Sequence, residues 1–94
     1  MKIPDHVVEI TEAATRQALG HQNALRRAAL LDGDGPAAAR RCLLELLAGR
    51  EVKWSENRGV VRIRSRTTQL DMQVRLVREG VRLVVVSFEV RDYL

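Results

Sequence analysis

Ninety-four residues, 46% hydrophobic and 30% charged, suit one globular domain spanning 1–94; they are too few for two cores and too apolar for a disordered chain. No stretch approaches the roughly 20 consecutive apolar residues of a membrane-spanning helix, and the opening Met1-Lys2-Ile3-Pro4-Asp5 lacks the apolar centre of a secretion signal, so a cytoplasmic location is expected. The net charge is +4 and fourteen of the sixteen basic residues are arginine, a bias that fits a polyanionic or acidic partner as well as it fits an arginine-rich solvated surface.

In chain order, Val7-Val8-Glu9-Ile10 is a short β-prone run, and Thr11 followed by Glu12 has the pattern of a helix N-cap with an acid in the first turn. From Glu12 to about Leu31 the composition is that of a helix, with Ala14, Ala18, Leu25, Ala28 and Leu31 at near-helical spacing and Gly20 as a dividing point. Asp32-Gly33-Asp34-Gly35-Pro36 is a turn that ends in a proline suited to the start of the next helix. That helix is predicted over Ala37 to Ala48, with Ala39, Leu43, Leu46 and Leu47 on one stripe and Gly49 as its left-handed stop.

The period then changes from helical to alternating. Strands are predicted over Glu51–Ser55, Val60–Arg66, Leu70–Arg78 and Val81–Val90, separated by short polar turns, which implies an antiparallel meander. Leu70, Met72, Val74 and Leu76 alternate with polar residues and define a core face. The last strand is apolar on both faces and should be central. The expected class is α+β: a short N-terminal strand, two helices, then a mostly antiparallel sheet of three to four strands.

Arg62, Arg64 and Arg66 alternate with Val61, Ile63 and Ser65, so their guanidinium groups should share one side of a strand at about 7 Å spacing, comparable to the interval between backbone phosphates. Arg75 on the adjacent strand extends the row into a candidate nucleic-acid-binding patch. The alternative is the solvated face of an amphipathic sheet. Trp54, Phe88 and Tyr93 do not interleave with these arginines, which disfavours base-stacking on an aromatic platform. Cys42 is the single cysteine, and His6 and His21 lack the spacing of a metal pair, so no metal or cofactor is expected. Asp32 and Asp34 open like a calcium loop, but Pro36 and the alanines behind it supply no further ligands. Phosphate-loop and nucleophile-elbow motifs are also missing.

The order of elements, together with Val7-Val8-Glu9-Ile10-Thr11-Glu12-Ala13-Ala14, Leu46-Leu47-Ala48-Gly49, Val61-Arg62-Ile63-Arg64 and Arg91-Asp92-Tyr93, resembles the RelE/ParE family of small bacterial toxins. The resemblance implies action on RNA, as a metal-free ribonuclease or an RNA-binding protein working on messenger RNA or the ribosome, and a cognate antitoxin as partner. It implies catalytic roles for Arg62, Arg64, Arg91 and Tyr93. Arginines suit the charge that develops on a phosphorane but are poor bases, so proton transfer would fall to Tyr93 or His6. The other reading of the same residues is a non-enzymatic module, such as an antitoxin, immunity protein or phage-encoded inhibitor, whose basic face docks on an acidic protein.

Overall fold

The computed structural model describes residues 8–92. The chain is an α+β protein in which β1 (Val8–Ile10) leads into α1 (Glu12–Gly20), α2 (Gln22–Arg27) and α3 (Gly35–Leu47). The strands β2 (Lys53–Ser55), β3 (Arg58–Ser65), β4 (Leu70–Glu79) and β5 (Arg82–Asp92) follow. They form a five-stranded sheet in the order β1-β5-β4-β3-β2. β2 to β5 are the expected antiparallel meander, and β5 is internal as its two-sided apolar character requires.

β1 pairs with β5 in parallel, Val8 beside Leu83 and Ile10 beside Val85. β1 therefore lies against a strand more than 70 positions further on, and Thr11 holds that junction. Its backbone N–H donates to the Val85 carbonyl at 3.1 Å and its hydroxyl donates to the same oxygen at 2.8 Å. The hydroxyl also accepts from the Ala14 N–H at 3.2 Å, as a helix N-cap does. Thr11→Ala is expected to cost about 1–2 kcal/mol, read as a lower urea midpoint with an unchanged slope, while Thr11→Ser should recover most of the loss. A midpoint equal to that of the parent would disprove this role.

The helical region divides at Gly20 and His21, as expected, and α2 ends at Arg27, several residues before Leu31. There Ala29 adopts φ 58°, with Ala29 N–H donating to the Arg26 carbonyl at 3.0 Å and Leu30 N–H to the Leu25 carbonyl at 2.8 Å. This paired closure stops the helix and turns the chain toward the Asp32–Pro36 loop. Asp34 precedes α3 but does not cap it with its side chain, which pairs instead with Arg26.

All three helices lie on one side of the sheet. Ala14, Ala18, Leu25, Ala39, Leu43 and Leu47 meet Val61, Ile63, Met72, Val74, Leu76, Val85 and Phe88 in a continuous core. Cys42 is 2% exposed in that core, and burial, helped by the charge of Glu45, pushes its thiol up to about 11. It is a protonated, inert filler at neutral pH. Beyond the end of β1, the open edge of β5 is met by α1, where the Gln17 side-chain oxygen accepts from the Phe88 N–H at 2.8 Å.

Candidate nucleic-acid interface

The opposite side of the sheet carries no helix among the described residues. Strand alternation directs Lys53, Arg58, Arg62, Arg64, Arg75, Arg82 and Arg91 to this outer side, with Glu9, Asp71, Glu79 and Glu89 among them. Seven cations against four carboxylates leave the face positive, and every one of the seven is exposed.

Arg62 and Arg64 meet Asp71, and Arg91 is its neighbour on β5. In the pairing register Asp71 sits between Arg64 on β3 and Arg91 on β5. Arg62 donates through Nη2 to Asp71 Oδ2 at 3.0 Å and through Nε to Oδ1 at 3.4 Å. Arg64 Nε lies 3.7 Å from Asp71 Oδ2, and Arg91 Nη2 lies 3.6 Å from Glu89 Oε2. The Arg62 hydrogen bond, with the charges of Arg62, Arg64 and Arg91 behind it, holds the Asp71 carboxyl below the usual carboxylate range against partial desolvation. The same bond raises the Arg62 guanidinium. A lowered folded-state value means that the contribution of Asp71 to stability is present above the ordinary carboxylate range and is lost as pH falls through the lowered value.

A shared central anion is the geometry in which arginines take up phosphate, and here a carboxylate of the chain fills that role. Asp71 is thus an internal competitor for any external phosphate. Asp71→Asn is expected to tighten binding of single-stranded RNA severalfold and to steepen its salt dependence, because Arg62 and Arg64 lose a built-in counterion. Filter binding across a salt series measures both; weaker RNA binding by a folded Asp71→Asn variant would reverse the assignment.

The remaining expected site residues fall in different places. Arg66 lies beyond the end of β3, in the turn where the Thr68 N–H donates to Ser65 Oγ at 3.2 Å. The expected strand row of three arginines is therefore two, Arg62 and Arg64, with Arg66 exposed at the turn. Arg75 is on the outer face as expected but opposite Val60 and Ser87, and it donates to Gln73 Oε1 at 3.3 Å. Tyr93 and His6, the expected proton-transfer residues, lie outside the described residues, as does Val7 of the expected first strand.

Arg91 reaches the outer face through an irregularity. Arg75 pairs with Ser87 while Leu76 pairs with Val85, leaving Val86 as an extra residue in β5. Leu83 and Val85 point into the core before the bulge, and Phe88 and Val90 do so after it. Unbroken alternation would have turned Arg91 toward the helices; the bulge brings it to Arg64 and Asp71.

Sequence reasoning had not placed Lys53, Arg58 and Arg82 on this face, nor given Asp71 and Glu89 a role there. Alternation along each strand carries that information only once register and bulge position are known. Among the described residues no group of three or more histidine, cysteine or carboxylate side chains is arranged to hold a metal ion, and no helix is long and apolar enough to cross a membrane.

Comparison with known proteins yields no matching family model, no matching curated protein and no matching solved structure.

Proposed function

We propose that this protein binds RNA through the outer face of its sheet, in the manner of a small RelE-like toxin, with Arg62, Arg64 and Arg91 gripping a backbone phosphate. The observation that carries the reading is that Arg62 and Arg64 share the Asp71 carboxylate while Arg91 stands beside it on the next strand. Arginine pairs with phosphate oxygens as it does with the carboxylate oxygens of Asp71, and incoming RNA displaces that internal partner. Lys53, Arg58 and Arg75 continue the positive face along the sheet and supply a track for further phosphates. A cytoplasmic site of action and a neutralising antitoxin belong to the same proposal.

Cations meet only one of the three needs of metal-free RNA cleavage, the stabilisation of developing negative charge. Proton transfer would fall to Tyr93, two positions after Arg91 in the chain, or to His6. The test is incubation with labelled single-stranded RNA and with translating ribosomes in EDTA, beside an Arg64→Ala/Tyr93→Phe double variant. Retention of RNA that weakens steeply with salt is the expected result, and cleavage by the parent alone would add catalysis to it. No retention at low salt would end the RNA reading.

A second reading is favoured by an apolar strip on the same face. Val60, Val77 and Val86 lie near Arg58 and Arg75 along a shallow hollow of about 520 Å³, and Val86 is 37% exposed. Apolar contacts ringed by cations suit an acidic protein surface, as for an inhibitor or immunity-type module. Pull-down of a stable acidic partner by a protein that retains no RNA would favour this reading.

A further inference from the structure

The seven cations of the outer face are not equally compensated. Arg62 and Arg64 share Asp71, Arg82 pairs with Glu9, and Arg91 pairs with Glu89. Among the described residues no carboxylate lies within ion-pair reach of Lys53, Arg58 or Arg75, and Arg75 reaches only the Gln73 amide. The uncompensated charge is therefore gathered at one end of the face, on the three adjacent strands β2, β3 and β4.

Between these three cations lies the valine hollow. Register places Lys53 and Arg75 on either side of Val60, and Arg58 beside Val77. Val86, at the bulge, completes the apolar wall and is exposed. An apolar centre with a charged rim is the anatomy of a protein interface, and three unpaired cations select an acidic partner. Nucleic acid would use the cations but find no aromatic side chain to stack on, since Phe88 is in the core and Trp54 packs against it. A second copy of this chain would bring like charges together across a symmetric contact.

We infer that this hollow seats an extended, acidic segment of a partner protein. One apolar side chain of the segment lies on Val60, Val77 and Val86, and the carboxylates flanking it meet Lys53, Arg58 and Arg75. Side chains on one face of an extended segment recur at about 7 Å, the interval that also separates Arg58 from Val60 along β3. A segment with acidic and apolar residues at alternate second positions therefore meets cation and valine in turn. The inference rests on the acidic-partner reading above and narrows it to one end of the face, away from Asp71. The RNA track uses the same three cations, so segment and RNA exclude each other there.

The experiment is an NMR titration of the isotope-labelled full chain with two synthetic peptides of equal charge and with a short single-stranded RNA. One peptide carries glutamate and leucine at alternate second positions with serine between them; the other has serine in place of leucine. The leucine peptide should shift the backbone amides of Val60, Val77 and Val86 and bind roughly 10-fold tighter than its counterpart, as burial of one such side chain gives. Val86→Ser, a change at an exposed residue, should remove most of that preference. Arg58→Gln/Arg75→Gln should weaken both peptides severalfold, and Arg40→Gln/Arg41→Gln, on the helix layer, should leave both little changed. Equal binding of the two peptides, or shifts confined to the amides around Asp71, overturns the hollow and leaves the acidic-partner reading standing. Binding of neither peptide overturns both. Single-stranded RNA that loses as much affinity on Val86→Ser as the leucine peptide does would give the hollow to nucleic acid and overturn the protein occupant.

Discussion

Replacing Arg62 and Arg64 together by glutamine is expected to weaken binding of single-stranded RNA roughly 25-fold in about 0.1 M salt. The figure follows from about 0.7 counterion released per phosphate contacted, so each lost contact removes a factor of about 5 at that salt. The slope of log affinity against log salt should fall by about 1.4. Both residues are half exposed on the outer face, so the fold should survive their loss. The matched control is Arg40→Gln/Arg41→Gln, which removes the same charge from exposed positions on the helix layer. If net charge alone attracted RNA, the two double variants would behave alike, and an equal loss from the helix variant would sink the interface. A difference in slope between them separates local phosphate contacts from the general field of a +4 protein.

The largest expected change in stability lies at Gly59. A methyl group built there would come within 2.6 Å of Val52 Cγ1 and 2.8 Å of Trp54 Cζ3. The Trp54 indole lies across the strand at this point, paired with Gly59 in the register, and the Arg78 guanidinium stacks on the ring 4.4 Å from its centroid. The glycine is there for space, which lets an aromatic ring close the end of a three-residue edge strand. Gly59→Val should cost about 3 kcal/mol, near the upper end of overpacking penalties, and lower Tm on the order of 15 °C for a domain this size. In a Trp54→Ala background the same substitution should cost less, because one of its two obstacles has gone while Val52 remains. An unchanged Tm for Gly59→Val would refute the packing account.

The two experiments separate recognition from scaffold. Outer-face arginines should alter RNA retention with little effect on Tm, while Gly59 should alter Tm first and binding only through unfolding. A variant at Arg62 or Arg64 that collapsed the fold would indicate that the cluster around Asp71 is a structural tie across β3 and β4. The exposure of these arginines argues against that role, since exposed ion pairs contribute little.

Much of this protein was determined by local sequence. The alternation of Leu70, Met72, Val74 and Leu76 sets the buried face of β4, Asp32 to Pro36 breaks the helical region, and Thr11 caps α1, because each rests on residues within a few positions of one another. The projection of Arg62 and Arg64 from one side of β3 was legible for the same reason. Tertiary structure alone decided the rest. The parallel docking of β1 on β5 joins residues more than 70 positions apart, and no local pattern encodes a partner at that distance. The bulge at Val86 reverses the faces of the last strand and brings Arg91 to Arg64, a change that a strict two-residue period cannot anticipate. Asp71 was readable as one polar residue of an alternating strand; its place between arginines of two neighbouring strands comes only from register, which the burial of the whole sheet against three helices fixes.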